Sequence, residues 1–131
     1  MKTTMKTKTD NPYAALKRVF HEPSRMAIMA DLCAEEQALA FAELKQRHGL
    51  TDGNLNRHLK ALHDAGAVRV YKRPDGSKQR TMIVLTDQGR LHFVDYLRAL
   101  EDALRRAAAS LAADEQRAPT PHLVPLEWAA P

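Results

Sequence analysis

The side chains best placed to act together lie between Thr51 and Arg80. At about 100° per residue, Leu55, Leu59 and Leu62 fall in one narrow sector of a helix. Gly53, Arg57, Lys60 and Asp64 fall opposite, flanked by Asn54, Asn56 and Ala61. An arginine fork can pair with guanine or neutralise a phosphate, and asparagine can pair with adenine or hold a phosphate. Gly53 has no side chain and lets a backbone approach closely. Thr51 and the free N–H groups of the helix start suit a phosphate, and Asp52 complements the positive end of the helix dipole. Further on, Arg69, Lys72, Arg73, Lys78 and Arg80 set five cations against one anion, Asp75. That local excess equals the net charge of the whole 131-residue chain, +4. Such a surface can neutralise a polyanion and hydrogen-bond to base edges. The plainer alternative is the solvated side of an amphipathic helix beside a charged hairpin that resists edge pairing.

Other chemistries find no matching pattern. The sequence has no phosphate-binding loop, nucleophile elbow, dinucleotide fingerprint or HExxH. Ser24, Ser77 and Ser110 have no evident base, so no enzyme is expected. His21, His48, His58, His63, His92 and His122 show no i,i+4 spacing, and His58 and His63 diverge. No metal and no cofactor is expected. The single cysteine excludes an intramolecular disulfide. Cys33 is in register with Met26 and Met29 and reads as a buried core thiol. Hydrophobic residues are 44% and aromatics 5%, so the core must be mainly Leu, Ala, Val and Met. No stretch reaches the ~18 apolar residues of a membrane span, and no apolar run follows the first lysines. A cytoplasmic protein is expected.

These groups must be positioned by helices and one hairpin. Residues 1–10 read as a flexible basic arm with Lys2, Lys6 and Lys8. A short helix should follow Asn11 and Pro12, with Tyr13, Leu16, Val19 and Phe20 at helical spacing. Pro23 breaks it and opens the next, whose stripe is Met26, Met29, Leu32 and Cys33. A third runs from about Phe41 to His48, with Phe41 and Leu44 inward and Gly49 as a left-handed cap. Thr51 caps the Leu55/Leu59/Leu62 helix, which stops at Gly66. Alternation then begins at Val68-Arg69-Val70, Pro74-Asp75-Gly76-Ser77 signals a turn, and Met82-Ile83-Val84-Leu85 returns. Thr86-Asp87-Gln88 opens a last helix over about 87–111. Phe93, Leu97, Leu100, Leu104, Ala107 and Leu111 are spaced 4, 3, 4, 3, 4, a heptad seam longer than one small domain needs. It reads as a dimer helix, joined by Tyr13 and Leu16, while Leu91, Val94 and Tyr96 pack on the domain. One domain spans 11–111. Pro119, Pro121, Pro125 and Pro131 make 112–131 a Pro-rich tail, expected to be disordered.

Two helices joined by a tight Gly-containing turn and followed by a hairpin form a winged helix-turn-helix, mainly α with a two-stranded wing. The run Leu50-Thr51-Asp52-Gly53-Asn54-Leu55-Asn56-Arg57-His58-Leu59-Lys60-Ala61-Leu62 resembles the recognition helix of bacterial and archaeal winged-helix transcriptional regulators of the MarR/ArsR-like kind. Ala65-Gly66-Ala67-Val68 resembles their step into the wing, and Leu85-Thr86-Asp87-Gln88-Gly89 their signature opening the next helix. The resemblance covers roughly residues 20–104. It implies a homodimeric regulator that binds specific double-stranded DNA, most simply a promoter-blocking repressor. Thr51, Asp52, Gly53, Asn54, Asn56, Arg57 and Lys60 would then form the helix contacts, and Lys72, Arg73, Lys78 and Arg80 the wing contacts. Relatives of the ArsR kind often sense metals through paired cysteines in a helix, whereas this chain has Cys33 alone. MarR-like regulators often bind small effectors, but no polar cluster marks such a pocket. The rival reading is a winged-helix protein–protein assembly module. A single-strand binder would need exposed aromatic platforms that this helix lacks.

Overall fold

A computed structural model describes residues 17–116. The basic arm, Tyr13, Leu16 and the Pro-rich residues 117–131 lie outside the described residues. Residues 17–20 are helical. Helix α1, Pro23–Ala34, starts where Pro23 needs no N–H partner, and the Glu22 carboxylate accepts the Arg25 backbone N–H at 2.7 Å. Its buried stripe is Ile28, Met29 and Leu32. Met26 and Cys33, expected inside, are only half-buried, because the stripe runs through Ile28 instead. After the turn at Glu35-Glu36-Gln37 comes β1, Leu39–Ala40, then α2, Phe41–His48, closed by Gly49 at φ +60°. Leu44 is fully buried, while Phe41 is partly exposed.

Helix α3, Asp52–Asp64, is capped by Thr51, whose hydroxyl oxygen accepts the Asn54 N–H at 3.1 Å. Gly66, at φ +79°, ends it. Strands β2, Val68–Asp75, and β3, Lys78–Leu85, form the hairpin around Gly76 and Ser77. Pro74 lies inside β2 rather than in the turn, which an edge strand tolerates. The sheet has three strands in the order β1-β3-β2, all antiparallel. The two-residue β1 pairs Leu39 with Ile83 and Ala40 with Met82, an addition to the expected hairpin too short to show periodicity.

Helix α4, Asp87–Gln116, extends five residues past the expected end. Ala112, Ala113, Glu115 and Gln116 are good helix formers, and the first proline comes only at 119. Its opening is tied to the end of α3. The Thr86 N–H donates to the Ala67 carbonyl at 3.0 Å, and the Thr86 hydroxyl to the Gly66 carbonyl at 2.7 Å. That hydroxyl also accepts the Gly89 N–H at 2.8 Å. Two compact units divide at Arg98 and Ala99. In the first, Phe20 meets Phe93 edge-to-face at 5.2 Å, Phe93 stacks near Tyr96, and Tyr96 shares a 2.6 Å hydrogen bond with His21. In the second, Arg105 pairs with Glu101 and Arg106 with Asp102, one turn apart.

Phe93 therefore belongs to the core rather than to an exposed seam, because its ring is wholly buried against Phe20. Tyr96 is buried as expected on the domain side, whereas Leu91 is 60% exposed. Leu97, Leu104 and Leu111 are exposed and Leu100 is partly so.

Candidate nucleic-acid interface

Thr51, Asp52, Gly53, Asn54, Asn56, Arg57 and Lys60 are all exposed, at the start of α3 and around its outer surface, while Leu55, Leu59 and Leu62 are buried. No atom would lie within 4 Å of a Cβ at Gly53, so the backbone there is open to a close neighbour. The Arg57 guanidinium donates to Asn54 Oδ1 at 3.1 Å. Asn54 is itself fixed to the cap through its N–H. Lys60 Nζ pairs with Asp64 at 3.1 Å, and Lys45 with Asp52 at 2.8 Å. The Lys60 ammonium holds the Asp64 carboxyl below the ordinary carboxylate pKa.

The sequence reading missed His58, which is buried on α3. The signal was present, since His58 stands three residues after Leu55 and four before Leu62. Its Nδ1 lies 3.4 Å from Arg25 Nη1 and 3.8 Å from Glu22 Oε1. The Arg25 Nε–H donates to the Val19 carbonyl at 2.6 Å. His58 thus joins α3 to the start of α1 and the turn before it. Burial pushes its pKa below the ordinary histidine value; Glu22 opposes this, and Arg25 and Arg57 reinforce it.

From Arg69 to Arg80 every residue of the wing is exposed. Side chains alternate across the sheet, so Arg69, Tyr71, Arg73 and Asp75 share one face and Val70 and Lys72 the other. Arg73 stands opposite Arg80 and Asp75 opposite Lys78. Arg80 Nε comes to 3.6 Å of Asp75. Arg69, Lys72, Arg73 and Lys78 have no ion pair among the described residues. Between α3 and the wing lies a cleft of about 360 Å³, walled by Asn56, Lys60, His63 and Asp64 from the helix and Val70 and Thr81 from the strands. Lys72 and Asp52 line the adjoining recess with Asn56 and Thr81. Asn56, Lys60 and Lys72 therefore meet around the helix–wing cleft. Arg73, Lys78 and Arg80 lie on the other face of the hairpin.

Among the described residues no group of three His, Cys, Asp or Glu side chains is placed to hold a metal, and no helix is long and apolar enough to cross a membrane. Burial raises the Cys33 thiol pKa, with Arg90 opposing.

A family model described as a winged helix DNA-binding domain matches residues 24–104. An uncharacterized protein of Methanocaldococcus jannaschii is 36% identical over 80 residues, which cover 61% of this chain and 86% of that protein. A transcriptional regulator homologue from Pyrococcus horikoshii has a similar structure, with a TM-score of 0.57 and 28% identity over 71% of this chain and 96% of the other. The transcriptional repressor BigR from Xylella fastidiosa, at 22% identity and a TM-score of 0.55 over 72% of this chain and 90% of the other, shares the fold. The motifs at residues 50–62, 65–68 and 85–89 all lie inside the matched span, and the chain belongs to the winged helix DNA-binding domain family of transcriptional regulators.

Proposed function

We propose that the chain regulates transcription by binding specific double-stranded DNA as a homodimer, and that it represses by occupying promoter DNA. In this reading α3 enters the major groove. Arg57, held by Asn54, reads a base, while Asn54 and Asn56 read bases or hold phosphates. The α3 N-terminus with Thr51, Asp52 and Gly53 meets a phosphate, and Lys60, Lys72, Arg73, Lys78 and Arg80 neutralise the backbone. The observation that carries it is the exposed wing, whose cations are almost all unpaired, beside a helix face bearing Asn and Arg. BigR, a repressor of the same fold, supports the sign of regulation. Leu97, Leu100, Leu104 and Leu111 support the homodimer, with Tyr13 and Leu16 assigned to the same interface. Two copies would read inverted half-sites about one helical turn, ~10 bp, apart. Such work places the protein in the cytoplasm and needs no catalytic residue, metal or cofactor.

The test is an anisotropy titration of the full chain with random duplex across a salt series. Each phosphate neutralised contributes about 0.9 to the slope of log affinity against log salt. A linear fall with several such contacts is expected. Absence of any duplex affinity at low salt would refute the reading and favour a protein-assembly module.

A further inference from the structure

The acids on this surface do not serve the fold equally. Asp52 opens α3, where the helix dipole favours a negative charge. Asp64 closes α3, where the dipole disfavours one. Its ion pair with Lys60 is exposed on both sides, at 76% and 58%, and exposed pairs add little to stability. Its other neighbour, His63 Nδ1 at 3.6 Å, is exposed as well, so folding gains little from an anion at this position. Yet Asp64 stands on the wall of the helix–wing cleft with Asn56, Lys60 and Thr81, where DNA must pass in the reading above. Over Asp52–Asp64, Arg57 and Lys60 are balanced by Asp52 and Asp64, while the hairpin carries five cations and one anion.

We propose that Asp64 is a specificity-determining residue: its carboxylate occupies Lys60 in place of a phosphate and so withholds that cation from non-specific duplex. The inference rests on the DNA-binding reading. In a loosely held, sequence-independent complex, phosphates are mobile and the carboxylate at 3.1 Å keeps the ammonium. Lys60 then contributes nothing to counterion release. In a complex where α3 is seated in its site, one phosphate is held beside Lys60 and displaces the carboxylate. The cation is spent only on the correct sequence. Affinity for random DNA falls while affinity for the operator is nearly kept.

The test compares the full-length wild type with Asp64→Asn, Asp64→Glu and Asp64→Asn/Lys60→Ala. The probes are random duplex and the duplex that the wild type enriches from a randomised library. Asp64→Asn should steepen the salt slope on random duplex by about 0.9 and tighten that binding roughly fivefold at about 0.15 M salt, the contribution of one phosphate contact. The slope on the enriched duplex should stay unchanged, so the ratio between the two affinities falls. Asp64→Glu, which restores the carboxylate, should behave as wild type, and the double variant should return to the wild-type slope on random duplex. An unchanged random-duplex slope in Asp64→Asn overturns the proposal. So does a selective loss on the enriched duplex, which would make Asp64 a base reader, accepting from cytosine. If the wild type binds no duplex, the DNA reading itself fails; if it binds and the slopes of Asp64→Asn match it, only the role of Asp64 does.

Discussion

Replacing Gly89 by alanine tests how the wing is fixed to the recognition helix. Gly89 is buried in the first turn of α4. A Cβ there would stand 2.7 Å from the Ala67 Cα and 2.8 Å from its carbonyl carbon, and closer still to the carbonyl oxygen. All three are backbone atoms, so no rotamer change relieves the overlap. On an open helix surface the substitution would add about 1 kcal/mol of stability. Here α4 and the Ala67 backbone must part by several tenths of an ångström, and overpacking of this kind costs about 1–3 kcal/mol. The same movement stretches the two Thr86 hydrogen bonds to Gly66 and Ala67, each worth about 1 kcal/mol. The net loss should be near 2 kcal/mol. For a domain of this size that lowers Tm by about 8–16 °C. Thermal and urea unfolding followed by circular dichroism measure it. A Gly89→Ala variant as stable as wild type would refute the reasoning, because it would mean that α4 does not press on Ala67.

Arg57→Ala should cost about 1–3 kcal/mol on the enriched duplex and relax preference at one base pair, whereas Arg73→Ala should weaken all duplexes alike and lower the salt slope by about 0.9; base-substitution and salt titrations separate the two, and equal losses on enriched and random DNA would make Arg57 a phosphate clamp. Because the folded pKa of His58 is depressed below its unfolded value near 6.5, stability should be complete above that pH and fall as acid protonates the imidazole. Urea midpoints of wild type and His58→Gln should diverge least at acid pH, and parallel profiles would remove His58 as the cause. Leu100→Asp with Leu104→Asp puts unpaired charges into the proposed seam and should dissociate the proposed dimer; sedimentation of a folded double variant that is still dimeric would place the interface elsewhere, around Tyr13 and Leu16.

Much of this was legible because the strongest signals are local. The Leu55/Leu59/Leu62 spacing, the Thr51 cap, the left-handed Gly49 and the Gly76-Ser77 turn each depend on a few neighbouring residues. The features missed are made by distant ones. Strand β1 exists only because Ile83 and Met82 offer an edge some 43 residues downstream. His58 is buried where Glu22 and Arg25 meet it from the start of α1 and the residue before it. Gly89 reads in the sequence only as part of the signature opening the last helix, and its close neighbour is Ala67. Phe93 fits a heptad by spacing alone, but it is buried against Phe20 and Tyr96. Spacing could not show which cations are already paired, and that separates Lys60 and Arg80 from Arg73 and Lys78.

In the DNA-binding function proposed above, that separation divides the work of the surface. The wing, with most of its cations free, supplies attraction that acts over a Debye length and is blind to sequence. The recognition helix, whose charges cancel, supplies little attraction until it is close enough for Arg57 and the asparagines to meet base edges. Attraction and readout then sit on different elements, and they reinforce one another only if those elements keep a fixed spacing. The link between them is short: residues 65–67, with Gly66 at φ +79°, and the Thr86 bonds that clamp the far end of the hairpin to the same carbonyls. A change at this junction should therefore reduce affinity and specificity together, although no residue in it is among the proposed DNA contacts, whereas a change at the wing tip should reduce affinity alone.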